Sequence, residues 1–306
     1  MLCQADDILI ICHKNPDGDT LGSAAGLMHA LKKLGKTCAV LCNDEIAPKY
    51  DFLGIELFRK QFQPQFTVAV DVADTKLFCE RTLPYSEVVD LCIDHHPSNS
   101  GYAKVVCCDD AMPAAAQLMV SVVENMGVEL DGTIADCLYT GIMTDTGCFK
   151  YSATNAETHR VAAKLMDAGA QHTMISTKFF MSRSRKTMEL EKYALNTMEF
   201  LYDNRCAVIV LDEEILRQIG AQPGDIDGIS AIPRSIEGVD IGITIRQIDE
   251  GKFKISVRTS ENADACAIAQ GLGGGGHMRA AGCEVIGSLD CAKKAILREV
   301  ENALCL

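Results

Sequence analysis

Apolar residues along this chain fall into two kinds of run. Short unbroken runs, DDILIIC (6–12), KTCAVLC (36–42), FTVAVDV (66–72) and VVDLCI (88–93), have strand length. Their hydrophobicity is continuous rather than alternating, which suits strands covered on both faces, as in a parallel sheet. Longer runs have helical spacing. After the polar turn from His13 to Asp19, apolar positions at Leu21, Ala24, Ala25, Met28, Leu31 and Leu34 predict a helix from Thr20 to Leu34, with Thr20 as N-cap and Gly35 as C-cap. MPAAAQLMVSVVENMG (112–127), TIADCLYTGIMTDTG (133–147) and NAETHRVAAKLMDAG (155–169) predict three more helices. Strands alternating with helices imply an α/β fold, a doubly wound and mostly parallel sheet over the first 178 residues.

The segment FFMSRSRKTMELEKYALNTMEF (179–200) is charged and lacks Gly and Pro, so a connecting helix is expected within 179–204. A smaller α+β domain follows over 205–306. Its elements are a strand AVIVL (207–211), a hairpin from VDIGITIRQI (239–248) to FKISVR (253–258), a helix before GLGGGGH (271–277), and a final helix in the last 18 residues. A length of 306 residues agrees with about two domains of ordinary size.

Composition removes several function classes. No stretch approaches the ~18 apolar residues of a membrane span, and the start carries no basic n-region, so a cytoplasmic protein is expected. Fifteen cysteines are scattered, many within apolar runs, and none forms a C-x-x-C pair. Reduced, mostly buried thiols fit that pattern better than a disulfide scaffold or a zinc ribbon. The net charge of −13 opposes long-range attraction to duplex nucleic acid. It is compatible with carboxylates committed to metal ions.

The chemistry lies where the acids and histidines fall. His13-Lys14-Asn15-Pro16-Asp17-Gly18-Asp19 follows the first strand, Asp71 ends FTVAV, Asp94-His95-His96 follows VVDLCI, and Asp145 sits in GIMTDTG. In open α/β sheets the ligand crevice lies beyond the carboxyl ends of the strands, so three separate segments deliver these groups to one edge. Taken singly, an Asp after a strand reads as a helix cap and a lone His as a structural residue. Three of the seven histidines following strands beside aspartates form a combination that points to metal. Carboxylates with imidazoles suit Mn²⁺, with Mg²⁺ the alternative. Two ions need one shared carboxylate, and such a site activates water without a Ser or Cys nucleophile.

The order H-x-N-P-D-G-D, V-A-V-D, D-H-H, T-D-T-G resembles the DHH phosphoesterase family. KISVRTS (254–260) and GGGGHMRAAG (273–282) resemble its companion DHHA1 domain. The segment Thr144 to Ser152 and the compact length resemble the oligoribonuclease/pAp-phosphatase (NrnA-like) branch. The resemblance implies that His13, Asp17 and Asp71 hold one Mn²⁺ and that Asp19, Asp71, His95 and Asp145 hold a second, Asp71 bridging. It gives His96 the substrate phosphate or attacking water, and Asp94 the orientation of the neighbouring imidazoles. In the second domain Gly274, Gly275 and Gly276 would bring backbone N–H groups to an anion, with Arg258 and His277 adding charge-assisted bonds. A cleft between the domains is the expected site of hydrolysis. Met278-Arg279 stands where relatives often carry a Lys first.

The expected substrates are short single-stranded RNA, linear dinucleotides such as pApA, and 3′-phosphoadenosine 5′-phosphate (pAp). No duplex DNA or membrane partner is expected, and a homodimer is left open. The alternatives are a manganese-dependent inorganic pyrophosphatase or exopolyphosphatase and, in another class, a nucleotide sensor without catalysis. Arg183, Arg185 and Lys186 read as a solvated helix face before a guide for RNA. Cys12, Cys92 and Cys148 read as packing before redox sensitivity.

Overall fold

A computed structural model describes residues 1–42, 46–226 and 228–305, and the chain divides into two compact units, Met1–Ser182 and Arg183–Leu306. The first unit contains β1 (Ile8–Ile11), α1 (Gly18–Lys33), β2 (Cys38–Leu41), β3 (Phe66–Val70), β4 (Leu91–Asp94), β5 (Val105–Cys108), α2 (Ala115–Asn125), α3 (Gly132–Asp145), α4 (Ala156–Asp167) and α5 (His172–Ser176). Its five strands are all parallel, in the order β2-β1-β3-β4-β5.

The unbroken hydrophobicity of the strands has a direct cause. Ile8, Ile10, Val68 and Val70 face one core with residues of α1, α2 and α3. Leu9, Ile11 and Ala69, which alternate with them, face a second core with Phe58, Phe78 and Val89 from the connecting segments. Strand β1 is buried throughout. Its neighbours β2 and β3 lie on opposite sides, so the chain reverses direction across the sheet between β1 and β3, where open α/β sheets place their ligands.

Helix α1 begins two residues earlier than the pattern suggested. Asp17, not Thr20, is the N-cap, and its Oδ1 accepts from the N–H groups of Asp19 at 3.0 Å and Thr20 at 3.1 Å. A carboxylate that satisfies two first-turn donors outcompetes the Thr20 hydroxyl, which bonds elsewhere. At the other end Leu34 is the C-cap and Gly35 takes the left-handed conformation just beyond it, φ 74°. Strand β5 was not expected. It is short and lies at the sheet edge with Val105 and Val106 exposed, so burial left little periodic signal in it.

The second unit contains α6 (Arg185–Thr197), β6 (Glu199–Leu201), β7 (Cys206–Leu211), α7 (Glu213–Ile219), α8 (Pro223–Ile226), β8 (Ile241–Asp249), β9 (Lys252–Thr259), α9 (Ala265–Gln270), β10 (Gly275–His277), β11 (Ala280–Ile286) and α10 (Leu289–Leu304). Its six-stranded sheet runs β10-β11-β9-β8-β7-β6, with only the β7–β8 pair parallel. The single helix expected over 179–200 is replaced by a turn at Thr177–Met181, an extended Ser182, helix α6 and strand β6. Ser184 caps α6 by accepting from the Thr187 N–H at 3.0 Å, and Leu190 and Ala194 are buried with Ile209 and Leu211. This helix therefore belongs to the core of the second unit. All fifteen cysteines are free thiols, and seven of them are buried, fewer than their apolar surroundings suggested.

Candidate metal centre

Five elements bring the acids and histidines to the carboxyl edge of the first sheet, with Asp17 capping α1 and Asp19 in its first turn. His13 lies just beyond β1, Asp71 beyond β3, and His95 and His96 beyond β4, while Asp145 ends α3. Three groups have donor atoms within ion-holding distance: His13, Asp17 and Asp71; Asp19, His95 and Asp145; and Asp71, His95 and His96. Asp71 belongs to two of them, and its two oxygens face different neighbours. Oδ2 lies 3.8 Å from His13 Nε2. Oδ1 lies 3.5 Å from His95 Nε2 and 3.6 Å from His96 Nδ1. His95 Nε2 also approaches Asp145 Oδ2 at 3.4 Å and Asp19 Oδ2 at 3.8 Å.

The backbone at Asp71 is held in the left-handed region, φ 57°, which costs a non-glycine residue roughly 1–3 kcal/mol and persists only where surroundings enforce it. The enforcing contacts are its N–H on the Ile93 carbonyl at 2.8 Å and the Thr20 hydroxyl on Oδ2 at 2.5 Å. Asp19 is fully buried, and the backbone N–H groups of Ala115 and Ala116 at the start of α2 donate to it at 2.6 and 2.9 Å. That end of a helix favours an anion. His95 Nδ1 donates to the Met112 carbonyl at 3.1 Å, which directs Nε2 toward the carboxylates. Asp94, buried, accepts from His96 Nδ1 at 2.8 Å and the His95 N–H at 2.9 Å through Oδ1, and from Asn99 Nδ2 at 2.6 Å through Oδ2.

Sequence reasoning missed Thr20, Asn99, the Met112 carbonyl and the Ala115 and Ala116 amides. Only Asn99 left a local trace, an Asx residue five positions after Asp94.

Proton affinities record the crowding. Burial, with the charge of Asp71 added, pushes Asp19 up to about 7. Burial and the Asp19 and Asp71 charges raise Asp145 well above the carboxylate range. Burial opposes a charge on His95, but Asp71, Asp19 and Asp145 outweigh it and raise His95 to about 10. For Asp94 burial is outweighed by the bonds from His96 and Asn99, which lower it.

A divalent cation fits these residues on three counts. Asp71 Oδ1 is buried without a hydrogen-bond partner, a costly condition unless another group completes it. Among the described residues, the ion pairs of Asp19, Asp71 and Asp145 are all with histidines. Oxygen and imidazole donors together match Mn²⁺ or Mg²⁺ in softness.

A cation bound here would have to displace protons from Asp19 and His95. Affinity for Mn²⁺ is expected to rise from pH 6.5 to 8.5, because an Asp19 near 7 and a His95 near 10 both hold protons in that range when metal-free. Calorimetry in buffers of different ionisation enthalpy measures the protons released; a pH-independent affinity would contradict the coupling. Asp94→Asn is expected to lower activity by about 10- to 100-fold, the usual size for a group that orients an imidazole. Comparing kcat of this variant with that of Asn99→Ala checks it, since Asn99 touches only the far oxygen.

In the second unit the glycine run ends in a strand. Gly275 to His277 form β10, paired with β11 at Gly275–Gly282, Gly276–Ala281 and His277–Ala280. A Cβ at Gly274 would meet Cys283 at 2.5 Å, and one at Gly276 the Ala280 carbonyl at 2.6 Å, so these glycines allow β11 to approach. The same register sets Ala280 between Arg258 of β9 and His277 of β10. Two basic groups thus flank a small residue in one row of the sheet, while a Cβ on Gly275 would meet nothing within 4 Å. Arg279 turns away from this row. Its Nη1 donates to the Ser260 and Ala263 carbonyls at 2.7 and 2.6 Å.

Comparison with known proteins gives consistent relatives. Residues 7–142 match the model described as the DHH family, N-terminal domain, and residues 203–304 match the DHHA1 domain. The bifunctional oligoribonuclease and PAP phosphatase NrnA of Thermus thermophilus is 32% identical, over 97% of this chain and 90% of the relative. A probable bifunctional oligoribonuclease and PAP phosphatase NrnA of Streptococcus mutans is 24% identical over 98% and 95% of the two chains. The crystal structure of an exopolyphosphatase-related protein from Bacteroides fragilis aligns with a TM-score of 0.88 at 26% identity, covering 98% of this chain and 94% of the other.

Proposed function

The chain belongs to the DHH family of phosphoesterases, with a DHHA1 domain, and from that premise we propose that it hydrolyses phosphate esters at the ends of short nucleotides using two Mn²⁺ ions. Its substrates in this reading are short RNA oligomers, linear dinucleotides such as pApA, and pAp. The observation that carries it is Asp71, whose oxygens face two separate groups of donors and whose Oδ1 has no hydrogen-bond partner. The substrate class is supported by the two NrnA relatives.

His13, Asp17 and Asp71 would hold one ion and Asp19, Asp71, His95 and Asp145 the other. When bound, such ions lower the pKa of water and offset charge on the phosphoryl oxygens. Asp94 fixes the His96 ring through Nδ1, and burial is outweighed there by Asp94 and Asp71, which raise the proton affinity of His96. With Nδ1 held on Asp94, a proton on Nε2 would let His96 donate to a substrate phosphate oxygen and hold the ester in place. In the second unit, Arg258 and His277, with the backbone of Gly274 to Gly276, bind the anionic portion of the nucleotide. No helix of the described residues is long and apolar enough to cross a membrane. A cytoplasmic setting is part of the proposal.

The test is release of phosphate and mononucleotide from pAp, pApA and a five-residue RNA, with Mn²⁺ and with EDTA. Turnover confined to the Mn²⁺ reactions is expected, and the ranking of rates identifies the preferred ester. The Bacteroides fragilis structure favours one second reading, hydrolysis of phosphoanhydrides. Pyrophosphate or polyphosphate cleaved while all three nucleotides stay intact would replace the first reading with that one.

A further inference from the structure

Immediately after Asp145 the backbone enters a run of three left-handed residues, Gly147 (φ 56°), Cys148 (φ 60°) and Phe149 (φ 63°). Two of these are not glycine, so the turn is costly and must be held from outside. The buried Thr146 supplies much of the hold. Its hydroxyl donates to the Ile142 carbonyl at 2.6 Å and accepts from the Phe149 N–H at 3.0 Å. Its carbonyl accepts from Lys150 and Tyr151 at 2.9 and 3.0 Å. Phe149 turns inward and stacks on His159 with centroids 5.2 Å apart.

This conformation determines where the next side chain goes. The Tyr151 ring lies against the backbone of Gly147: a Cβ there would meet Tyr151 Cε1 at 2.5 Å and Cε2 at 2.7 Å. Only a glycine lets the ring lie so close. Tyr151 is nevertheless 61% exposed. One side of the ring rests on backbone, the rest meets solvent, and its N–H is bonded to the residue that follows Asp145. Lys150, also exposed, precedes it. An inert surface turn would need neither three strained residues nor a ring seated on a glycine.

From this juxtaposition we propose that Tyr151, carried on the turn that follows Asp145, is a specificity-determining residue, a platform on which a nucleobase of the substrate stacks. The ligand is a nucleotide rather than a bare phosphate, because an aromatic face recognises a π-system and tolerates any base. This rests on the reading of the chain as a phosphoesterase acting on nucleotides, and it predicts selectivity within that class.

The test compares pAp with its baseless analogue, 1-deoxyribose 3,5-bisphosphate, which keeps the 2-hydroxyl and lacks the adenine, on the full chain with Mn²⁺. Stacking of one base on one ring corresponds to about a 5- to 150-fold preference. In Tyr151→Ala the ratio of kcat/KM for pAp over the analogue should fall by about that factor, and in Tyr151→Phe it should persist. Tyr151→Leu keeps bulk over Gly147 but removes the π-face, so it should behave as Tyr151→Ala. A ratio unchanged in the Ala and Leu variants overturns the proposal, as does equal loss on both substrates. If the wild type cleaves neither compound, pAp drops out of the proposed substrates, separately from the platform. Calorimetric titration with AMP then decides, since equal affinity in the wild type and Tyr151→Leu overturns the platform.

Discussion

Asp71→Asn is expected to lower kcat/KM by about 10³-fold or more while leaving the fold intact. Losing one electrostatic group in a preorganised site commonly costs about 10²–10³-fold. Here a single carboxylate faces two groups of donors, His13 with Asp17 and His95 with His96, and His95 also belongs with Asp19 and Asp145, so its loss disturbs all of them at once. Asparagine is the informative replacement because it is nearly isosteric and, like aspartate, tolerates the left-handed backbone at this position. It also removes a negative charge from beside Asp19 and Asp145, whose proton affinities that charge raises. The metal-free variant should therefore melt no lower than the wild type, and the rise in Tm that Mn²⁺ gives the wild type should shrink. Activity within tenfold of wild type would mean that Asp71 does not organise the centre.

Gly22→Ala should destabilise the first unit strongly, although alanine is the better helix former. Replacing a glycine inside a helix ordinarily stabilises it by about 1 kcal/mol. At residue 22 the new methyl would overlap the Cys137 carbonyl oxygen and lie 3.0 Å from the Gly141 N–H nitrogen, both backbone atoms of α3. Helix backbone cannot swing aside as a side chain can, so α1 and α3 must separate. Overpacking of this kind typically costs about 1–3 kcal/mol, and the lack of any yielding side chain puts this case at the upper end. The clash outweighs the propensity gain, and a fall in Tm of several degrees is expected. Activity should drop further than stability alone explains, because α1 carries Asp19 and α3 ends in Asp145. A displacement of about 1 Å at such ligands can cost about 10²-fold. Thermal melts and kcat on the same preparation check both parts; a variant as stable as wild type would show that the helices are not in the contact described.

Local chemistry explains which parts of the site were legible. His13, Asp71 and His95 each follow a strand, a run of four or five mostly apolar residues. A strand buried on both faces cannot hide such a run, and parallel strands send their carboxyl ends to one edge. The errors have equally local causes. Thr20 resembles a helix cap, but Asp17 three residues earlier starts the helix by accepting from the Asp19 and Thr20 amides, and the threonine hydroxyl bonds Asp71 instead. The charged stretch 179–200 carries a helical composition throughout, yet Ser184 caps a new helix inside it and Glu199–Leu201 find a strand partner in β7. Nothing in the sequence marked Gly275 to His277 as a strand, because glycine offers no side chain to carry a periodic signal. In the sheet Gly274 and Gly276 are where neighbouring backbone comes too close for a Cβ, while Gly275 faces open space.

The sequence alone determined the class of fold, the places along the chain of the strands that carry the ligands, and the residue types gathered at their ends. Each of these follows from periodicity and composition within about ten residues. Tertiary structure decided the rest: that the two oxygens of Asp71 face different donors, that the α2 amides hold Asp19 from 96 and 97 residues away, and that Met112 sets the tautomer of His95. Those contacts depend on how helices α1, α2 and α3 pack over the sheet. A hydrogen bond between residues that far apart leaves no periodic trace in a single chain.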